Sequence, residues 1–107
     1  MEGWYGGQCQ VCGNVLVVPS GTATDYGHIK PLGSPHTGDD STNNMLSLCP
    51  NHHRQFDRGA ISIDPDALTI LAPRASFPVP LPRLLIHTNH QLDREAIRYH
   101  RATLFRP

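Results

Sequence analysis

Short apolar runs, bounded by glycine, proline or small polar residues, dominate the first two thirds of the chain. Runs of this kind, with alternating apolar positions or β-branched side chains, are typical of short strands. Pro31 ends the second run, because proline cannot donate a hydrogen bond to a strand ladder. The pattern predicts strands at residues 14–18, 24–29, 45–48, 60–63 and 68–71, and a further short strand at 84–86.

Two helices are also predicted, one in the middle of the chain and one at its end. Pro50 suits the first turn of a helix, and the segment from Asn51 to Arg58 is followed by Gly59, a residue type that commonly ends helices. Residues 93–105 also have a helical pattern. One side of this second helix carries Leu92, Ala96, Tyr99 and Thr103.

The mixture of short strands and two helices predicts an α+β fold, and a length of 107 residues predicts a single domain. The loop at 31–44 is rich in Gly, Pro, Asp and Asn, and a loop this long in so small a domain is usually functional. The predicted organisation is a lead-in at 1–8, a metal-binding knuckle and core at 9–59, a β-hairpin at 60–72, a proline-rich connector at 73–90 and a C-terminal helix at 91–107.

Composition indicates a thin hydrophobic core. Only 38 % of the residues are apolar, and small domains of this kind often depend on a metal or on disulfides. Nine basic and nine acidic residues give no net charge, although residues 74–107 are net basic and could contact a phosphate backbone or form a solvated helix face. We see no secretory or membrane-spanning segment, so we expect a cytoplasmic protein.

Two pairs of candidate metal ligands lie far apart in the sequence. Cys9 and Cys12 are separated by two residues, so a tight turn can direct both sulfurs at one ion. Cys49 and His52 repeat the spacing at the start of the first predicted helix. Three thiolates and one imidazole are typical ligands of structural Zn²⁺, and thiolates favour zinc over magnesium. The alternative is a Cys-x-x-Cys that arises by chance, with Cys49 as an unrelated buried residue.

The adjacent pair His52 and His53 indicates two separate sites. Consecutive residues of an α-helix point about 100° apart, because the helix has 3.6 residues per turn. If His52 completes the zinc site, then His53 faces elsewhere. We expect it to face the strand that carries His28, where it would belong to an open, reactive site.

The order of these motifs resembles that of a known family. After the Cys-x-x-Cys come Gly-His-Ile-Lys-Pro at 27–31, Asn-Asn-Met-Leu-Ser-Leu-Cys at 43–49 and His-His at 52–53. This order resembles the HNH endonucleases of the ββα-metal superfamily. It is also similar to the HNH domains that follow an SRA domain, which reads modified bases, in modification-dependent restriction enzymes. The resemblance implies a zinc-stapled ββα-metal core, with an extra β-hairpin and a C-terminal helix, in a metal-dependent DNA endonuclease.

The resemblance also implies roles for individual residues. His28 corresponds to the general base that takes a proton from the attacking water, a role that suits histidine near neutral pH. Asn44 corresponds to the central Asn, which orients the loop and the base, although Asn43 is a rival for that position. His53 corresponds to a ligand of a single catalytic divalent ion, Mg²⁺ or another such as Mn²⁺. DNA-phosphate contacts are expected from Lys30, Arg54 and Arg58.

One position departs from the family pattern. Many members carry Asp or His directly before the base, as a metal ligand, whereas this chain has Gly27. We expect Asp25 or His36 to replace that ligand, although His36 could instead contact phosphate or be a solvated loop residue. Asp57 follows His53 by one helical turn and could orient that ring or cap the strand that follows.

Three functions of different classes remain open at this point. The first is the DNA endonuclease, for which a homodimer and a link to an SRA-type domain in a longer chain are further expectations. The second is a catalytically silent zinc module that binds DNA or protein, which Gly27 and the neutral charge favour. The third is a purely structural zinc-binding domain. Outside the site, Phe56 is predicted to be in the core, and the surface is predicted to carry His87, His90 and His100.

Overall fold

The chain folds into short strands and helices connected by long loops, and the computed structural model describes residues 1–73, 79 and 81–107. In chain order the elements are α1 (Glu2–Tyr5), β1 (Val17–Val18), β2 (Gly21–Thr22), β3 (Asp25–His28), a 3₁₀ turn (Thr42–Asn44), β4 (Met45–Leu48), α2 (Pro50–Asp57), β5 (Ser62–Ile63), β6 (Ile70–Leu71) and α3 (Arg94–Tyr99), which continues as a π-helical turn (His100–Leu104).

The centre of the fold is a two-stranded antiparallel sheet covered by a helix. β3 pairs with β4, and Gly27 lies opposite Leu46 in the ladder. β4 leads through Cys49 directly into α2, which contacts both strands. This is the expected ββα core. It forms locally because the Cys49 Sγ accepts a hydrogen bond from the first turn of α2, where proline occupies the first position.

The predicted strands agree with the structure to different degrees. The strand at 45–48 is confirmed, and those at 24–29, 60–63 and 68–71 are confirmed with shorter bounds. The run at 14–18 contributes only β1 and a single bridge between Val15 and Gln8. The strand at 84–86 is wrong. The backbone N–H groups of Leu84 and Leu85 donate to two different segments, at Leu68 and Gln10, so the run ties the hairpin to the knuckle instead of forming a ladder.

The C-terminal helix is confirmed, but its buried face differs from the predicted one. Asp93 caps the helix by accepting from the N–H groups of Glu95 and Ala96, so Leu92 precedes the helix. The buried residues are Ala96, Ile97 and His100, whereas Thr103 is exposed. The buried face of the helix is therefore shifted by about one residue from the predicted face.

One hydrophobic core joins the sheet, α2, the hairpin and α3. Phe56, predicted in the core, is 1 % exposed and stacks on the His100 ring, with the centroids 3.8 Å apart. Its truncation to alanine would cost about 3–5 kcal/mol. The largest fully buried apolar side chains around it are Ile29, Leu46, Leu48, Ile61, Ile63 and Ile97.

Two histidines predicted at the surface are buried instead, His90 at 4 % and His100 at 1 % exposure. Both ring nitrogens of each have partners, which is why burial is tolerated. The Nε2–H of His100 donates to the Phe56 carbonyl at 2.9 Å, and its Nδ1 accepts from the Ser62 hydroxyl at 2.8 Å. Burial lowers the pKa of His100 to about 4, although the Phe56 contact acts in the other direction.

Residues 1–8, predicted as a lead-in, pack against the segment at 87–90. The Tyr5 side chain is buried, and its hydroxyl donates to Nδ1 of His90 at 2.6 Å. Trp4 stacks on His87 with ring centroids 5.7 Å apart. The Nε2–H of His90 donates in turn to the Thr42 carbonyl, which links this segment to the turn before β4.

No helix among the residues described in the structure is long and apolar enough to cross a membrane.

The buried His100 predicts a specific dependence of stability on pH. Between about pH 6.5 and pH 4 the unfolded chain binds a proton at this residue and the folded chain does not, so the free energy of unfolding falls as the pH falls. The difference between these two pKa values corresponds to on the order of 3 kcal/mol. We expect His100→Gln to lose less stability than the native chain over this range, measured by urea unfolding at pH 7 and pH 4.5. Equal losses in both proteins would contradict this assignment.

Candidate functional site

The first cluster of candidate ligands joins the Cys-x-x-Cys turn to the start of α2. The ligand atoms of Cys9, Cys12, Cys49 and His52 all lie within 4.8 Å of one another. The Nδ1 atom of His52 is 3.2 Å from the Cys49 Sγ and 3.8 Å from the Cys9 Sγ. Gly13, at φ 78°, donates its N–H to the Cys9 carbonyl and closes the turn that brings the first two thiols together.

The chemistry of this cluster fits a metal ion. All four side chains are buried. The pKa of the Cys12 thiol is raised to about 12, mainly by burial and also by the neighbouring Cys9 and Cys49, against a lowering contact from Asn14. Burial likewise raises the pKa of Cys49. Thiols this close ionise together only if a cation neutralises them, and three sulfurs with one imidazole nitrogen are a zinc-type donor set.

The next residue along α2 faces a different set of side chains, as helix geometry predicts. The Nδ1 atom of His53 is 3.0 Å from Asp25 Oδ2, and its Nε2 atom is 3.2 Å from Asp57 Oδ2. Asp25 lies at the start of β3, and Asp57 lies one helical turn beyond His53. Two carboxylates and one imidazole therefore meet between the strand and the helix.

Gly27 leaves space for a side chain of the neighbouring helix. A Cβ atom at this position would lie 2.8 Å from Cδ2 and 2.9 Å from Nε2 of His53, closer than real Cβ contacts. The glycine therefore makes room for the His53 ring. Asp25, two residues earlier on the same face of the strand, provides the carboxylate that contacts this ring.

His28 has a carboxylate partner of its own. Its Nε2 atom is 3.0 Å from Oδ1 of Asp40, in the loop between β3 and β4. Sequence reasoning did not single out Asp40. Its only signal was the pair of acids at 39–40 inside a loop already expected to be functional.

Asn44 fixes that loop onto the sheet. The side chain is 1 % exposed and makes three hydrogen bonds to the backbone: its Oδ1 accepts from the Lys30 N–H, and its Nδ2 donates to the carbonyls of Lys30 and Asp39. Its contacts are thus with the loop backbone on both sides of the turn. The rival Asn43 is exposed, and its carbonyl accepts from the Asp93 N–H.

His36 lies on the far side of the loop. Its Nδ1 atom is 2.6 Å from the Tyr99 hydroxyl, and the Lys30 Nζ lies 4.6 Å from the centroid of the same tyrosine ring. A cavity of about 520 Å³ brings three of the candidate histidines together. Its lining includes Tyr26, Gly27, His28, Leu32, His36, His53 and Asp57.

Comparisons with known proteins identify the family. The family described as HNH endonuclease matches residues 9–64, more than half of the chain. This chain belongs to the HNH endonuclease family. It is also similar to a solved structure titled "Modification dependent TagI restriction endonuclease", with 42 % sequence identity and a TM-score of 0.86 over 96 % of this chain. The match spans 35 % of that structure's chain. No curated protein matches.

The basic residues of this HNH endonuclease fall into two groups. Arg54 and Arg58 are exposed on α2, where they border a depression shared with Asp25, His53 and Asp57. Three described arginines of the basic tail, Arg94, Arg98 and Arg101, contact the turn at 64–66 instead. Arg98 and Arg101 form ion pairs there with Asp66 and Asp64, so these two charges are matched within the fold.

The Cys₃His cluster predicts that metal removal destabilises the protein, because the binding energy of a structural metal is part of the folding energy. We expect a chelator strong enough to strip zinc to lower the melting temperature by at least about 10 °C, since a loss of several kcal/mol shifts the melting temperature of such a small domain by that much. A Cys12→Ser variant is the control and should respond little. An unchanged melting temperature after metal analysis confirms removal would contradict the site.

Proposed function

We propose that this chain hydrolyses phosphodiester bonds in DNA at the cavity between β3, α2 and the loop at 31–44. One observation carries the proposal. His28 and His53 line the same cavity, and each ring is in contact with a carboxylate, Asp40 for the first and Asp25 for the second. A general base and a metal ligand side by side are what hydrolysis of a phosphodiester requires.

The proposed base is His28. With Nε2 bound to Asp40, its second nitrogen is available to an attacking water. The carboxylate would stabilise the imidazolium that forms when the ring takes the proton, and it would fix the orientation of the ring. Asn44 supports this arrangement indirectly, because its hydrogen bonds join the backbone at Lys30, close to the base, to the backbone at Asp39, next to the carboxylate partner.

The proposed catalytic cation belongs between Asp25, His53 and Asp57. Carboxylate oxygens suit Mg²⁺ and Mn²⁺, and imidazole is an acceptable further ligand. When bound, the cation would neutralise charge on the scissile phosphate and stabilise the leaving oxygen. Only one nitrogen of His53 can bind it, so one carboxylate would join the cation as a ligand while the other orients the ring. For His36 the sequence left two roles open, a metal ligand or a phosphate contact, and its partner in the structure is the Tyr99 hydroxyl.

We assign zinc to the Cys₃His cluster and phosphate contacts to three basic residues. Arg54 and Arg58 are exposed one helical turn apart beside His53, and Lys30 lies two residues beyond His28. Positive side chains at these positions would place the DNA backbone across the cavity.

We further propose that the chain is the cleavage module of a modification-dependent restriction system. The similar structure carries that description, and the match spans about a third of its length. Specificity for a modified base would then come from an SRA-type domain outside the region described in this structure. A homodimer would allow both strands to be cut. The alternative function is a catalytically silent zinc module that binds DNA or protein.

The decisive test is nicking of supercoiled plasmid DNA with added Mg²⁺ or Mn²⁺. We expect the native chain to nick and His28→Ala to lose at least about a hundredfold in rate, because a positioned general base contributes roughly 10²–10⁴-fold. His87→Ala is the control, since His87 stacks on Trp4 and does not line the cavity. Equal residual cleavage by both variants would point to a contaminating nuclease. DNA binding without any cleavage would favour the silent module.

Asp40 provides a second test within the same assay. We expect Asp40→Asn to lower the nicking rate about 10- to 100-fold, the usual cost of removing a partner that orients a catalytic group. Asp39→Asn is the matched control, because towards the described residues Asp39 offers its backbone carbonyl to a hydrogen bond and not its carboxylate. Equal effects of the two substitutions would mean that Asp40 contributes only negative charge to the loop and does not act through His28.

A further inference from the structure

The partner of His36 comes from a distant part of the chain. Tyr99 lies at the end of α3, and its hydroxyl is 2.6 Å from Nδ1 of His36. The two rings meet edge to face, with centroids 5.6 Å apart. With the hydroxyl donating to Nδ1, the neutral ring carries its proton on Nε2. Among the residues described in the structure, no recorded hydrogen bond or ion pair uses that second nitrogen, and the side chain borders the cavity with His28 and His53.

The backbone around His36 is fixed independently of this contact. The N–H groups of His36 and Thr37 both donate to the Gly33 carbonyl, and Gly38 donates to the Pro31 carbonyl at 2.7 Å. Thr37 has φ 53°, a conformation that non-glycine residues adopt only when the surrounding structure imposes it. Because the backbone is already held, the tyrosine hydroxyl acts on the orientation of the histidine ring.

We propose that Tyr99 is a positioning residue that directs Nε2–H of His36 towards a non-bridging oxygen of the DNA phosphate in the cavity. The inference rests on the proposed function, because it requires the cavity to receive DNA. It assigns Tyr99 a role in substrate binding and gives His36 a phosphate contact instead of a metal contact. A half-buried histidine beside two catalytic histidines is well placed to donate such a hydrogen bond.

Tyr99 also lies beneath the Lys30 ammonium group, so two effects of its removal must be separated. Tyr99→Phe removes only the hydroxyl and keeps the ring under Lys30. The matched control is Tyr5→Phe, which removes a tyrosine hydroxyl hydrogen-bonded at the same 2.6 Å to Nδ1 of His90, outside the cavity lining.

The first experiment measures the binding of a short DNA duplex with no divalent cation added. We expect Tyr99→Phe and His36→Ala each to weaken binding about tenfold or more, the usual effect of one lost hydrogen bond to a charged group. Tyr5→Phe should bind as the native chain does. Melting temperatures identify any variant that is not folded. Native-like binding by both cavity variants would overturn the proposal.

A double-mutant cycle distinguishes positioning from a general structural role. If the hydroxyl acts through His36, adding Tyr99→Phe to His36→Ala weakens binding by less than twofold more. Independent, multiplying losses would overturn the proposal.

The cation dependence of nicking provides the remaining readout. We expect His36→Ala to leave the Mg²⁺ concentration for half-maximal nicking within twofold of the native value. A rise of tenfold or more would make His36 a metal ligand and overturn the phosphate assignment. Because binding is measured without catalysis, a chain that binds DNA in this way but never nicks would refute the proposed function and leave this inference standing.

Discussion

The junction between β4 and α2 is the constraint on which the other features depend. Cys49 directly follows β4, caps α2 and belongs to the Cys₃His cluster, so one residue fixes the start of α2. From that fixed start the helical rotation of about 100° per residue sends His52 into the cluster and His53 towards β3. The Cys₃His cluster thus sets the orientation of the open site. Because His53 directly follows the cluster residue His52 on α2, a change in the cluster would also move His53.

Buried polar side chains replace much of what a larger apolar core would provide. Asn44, His90 and His100 are almost fully buried, and each joins segments that are distant in the sequence. Such groups add stability only while every donor and acceptor has a partner, since an orphaned one costs about 1–3 kcal/mol. They therefore make the arrangement specific as well as stable. The loop at 31–44 is held by hydrogen bonds, among them three that Asn44 makes to the backbone of Lys30 and Asp39.

The sequence was informative wherever the determining interaction is local. The Cys-x-x-Cys turn, the strand at 45–48, the helix after Pro50 and the divergence of His52 from His53 all follow from spacing within a few residues, and all are observed. The buried face of α3 and the burial of His90 and His100 were predicted wrongly. Histidine is a polar residue type, and whether it is buried depends on hydrogen-bond partners far away in the chain. Asp40 and Tyr99 were missed for the same reason: their contacts with His28 and His36 arise only after the loop has closed.

Gly27 illustrates how a departure from a family pattern can be compensated. The position that carries a ligand in many relatives here has no side chain, which on sequence grounds favours an inactive module. In the structure the His53 ring occupies the space where a Cβ would lie, so an aspartate at 27 could not be added without displacing that ring. Asp25, one pleat earlier, reaches the ring at 3.0 Å. Glycine at 27 and aspartate at 25 therefore act together: the glycine leaves room for the His53 ring, and the ring in that position contacts the Asp25 carboxylate in the site we propose.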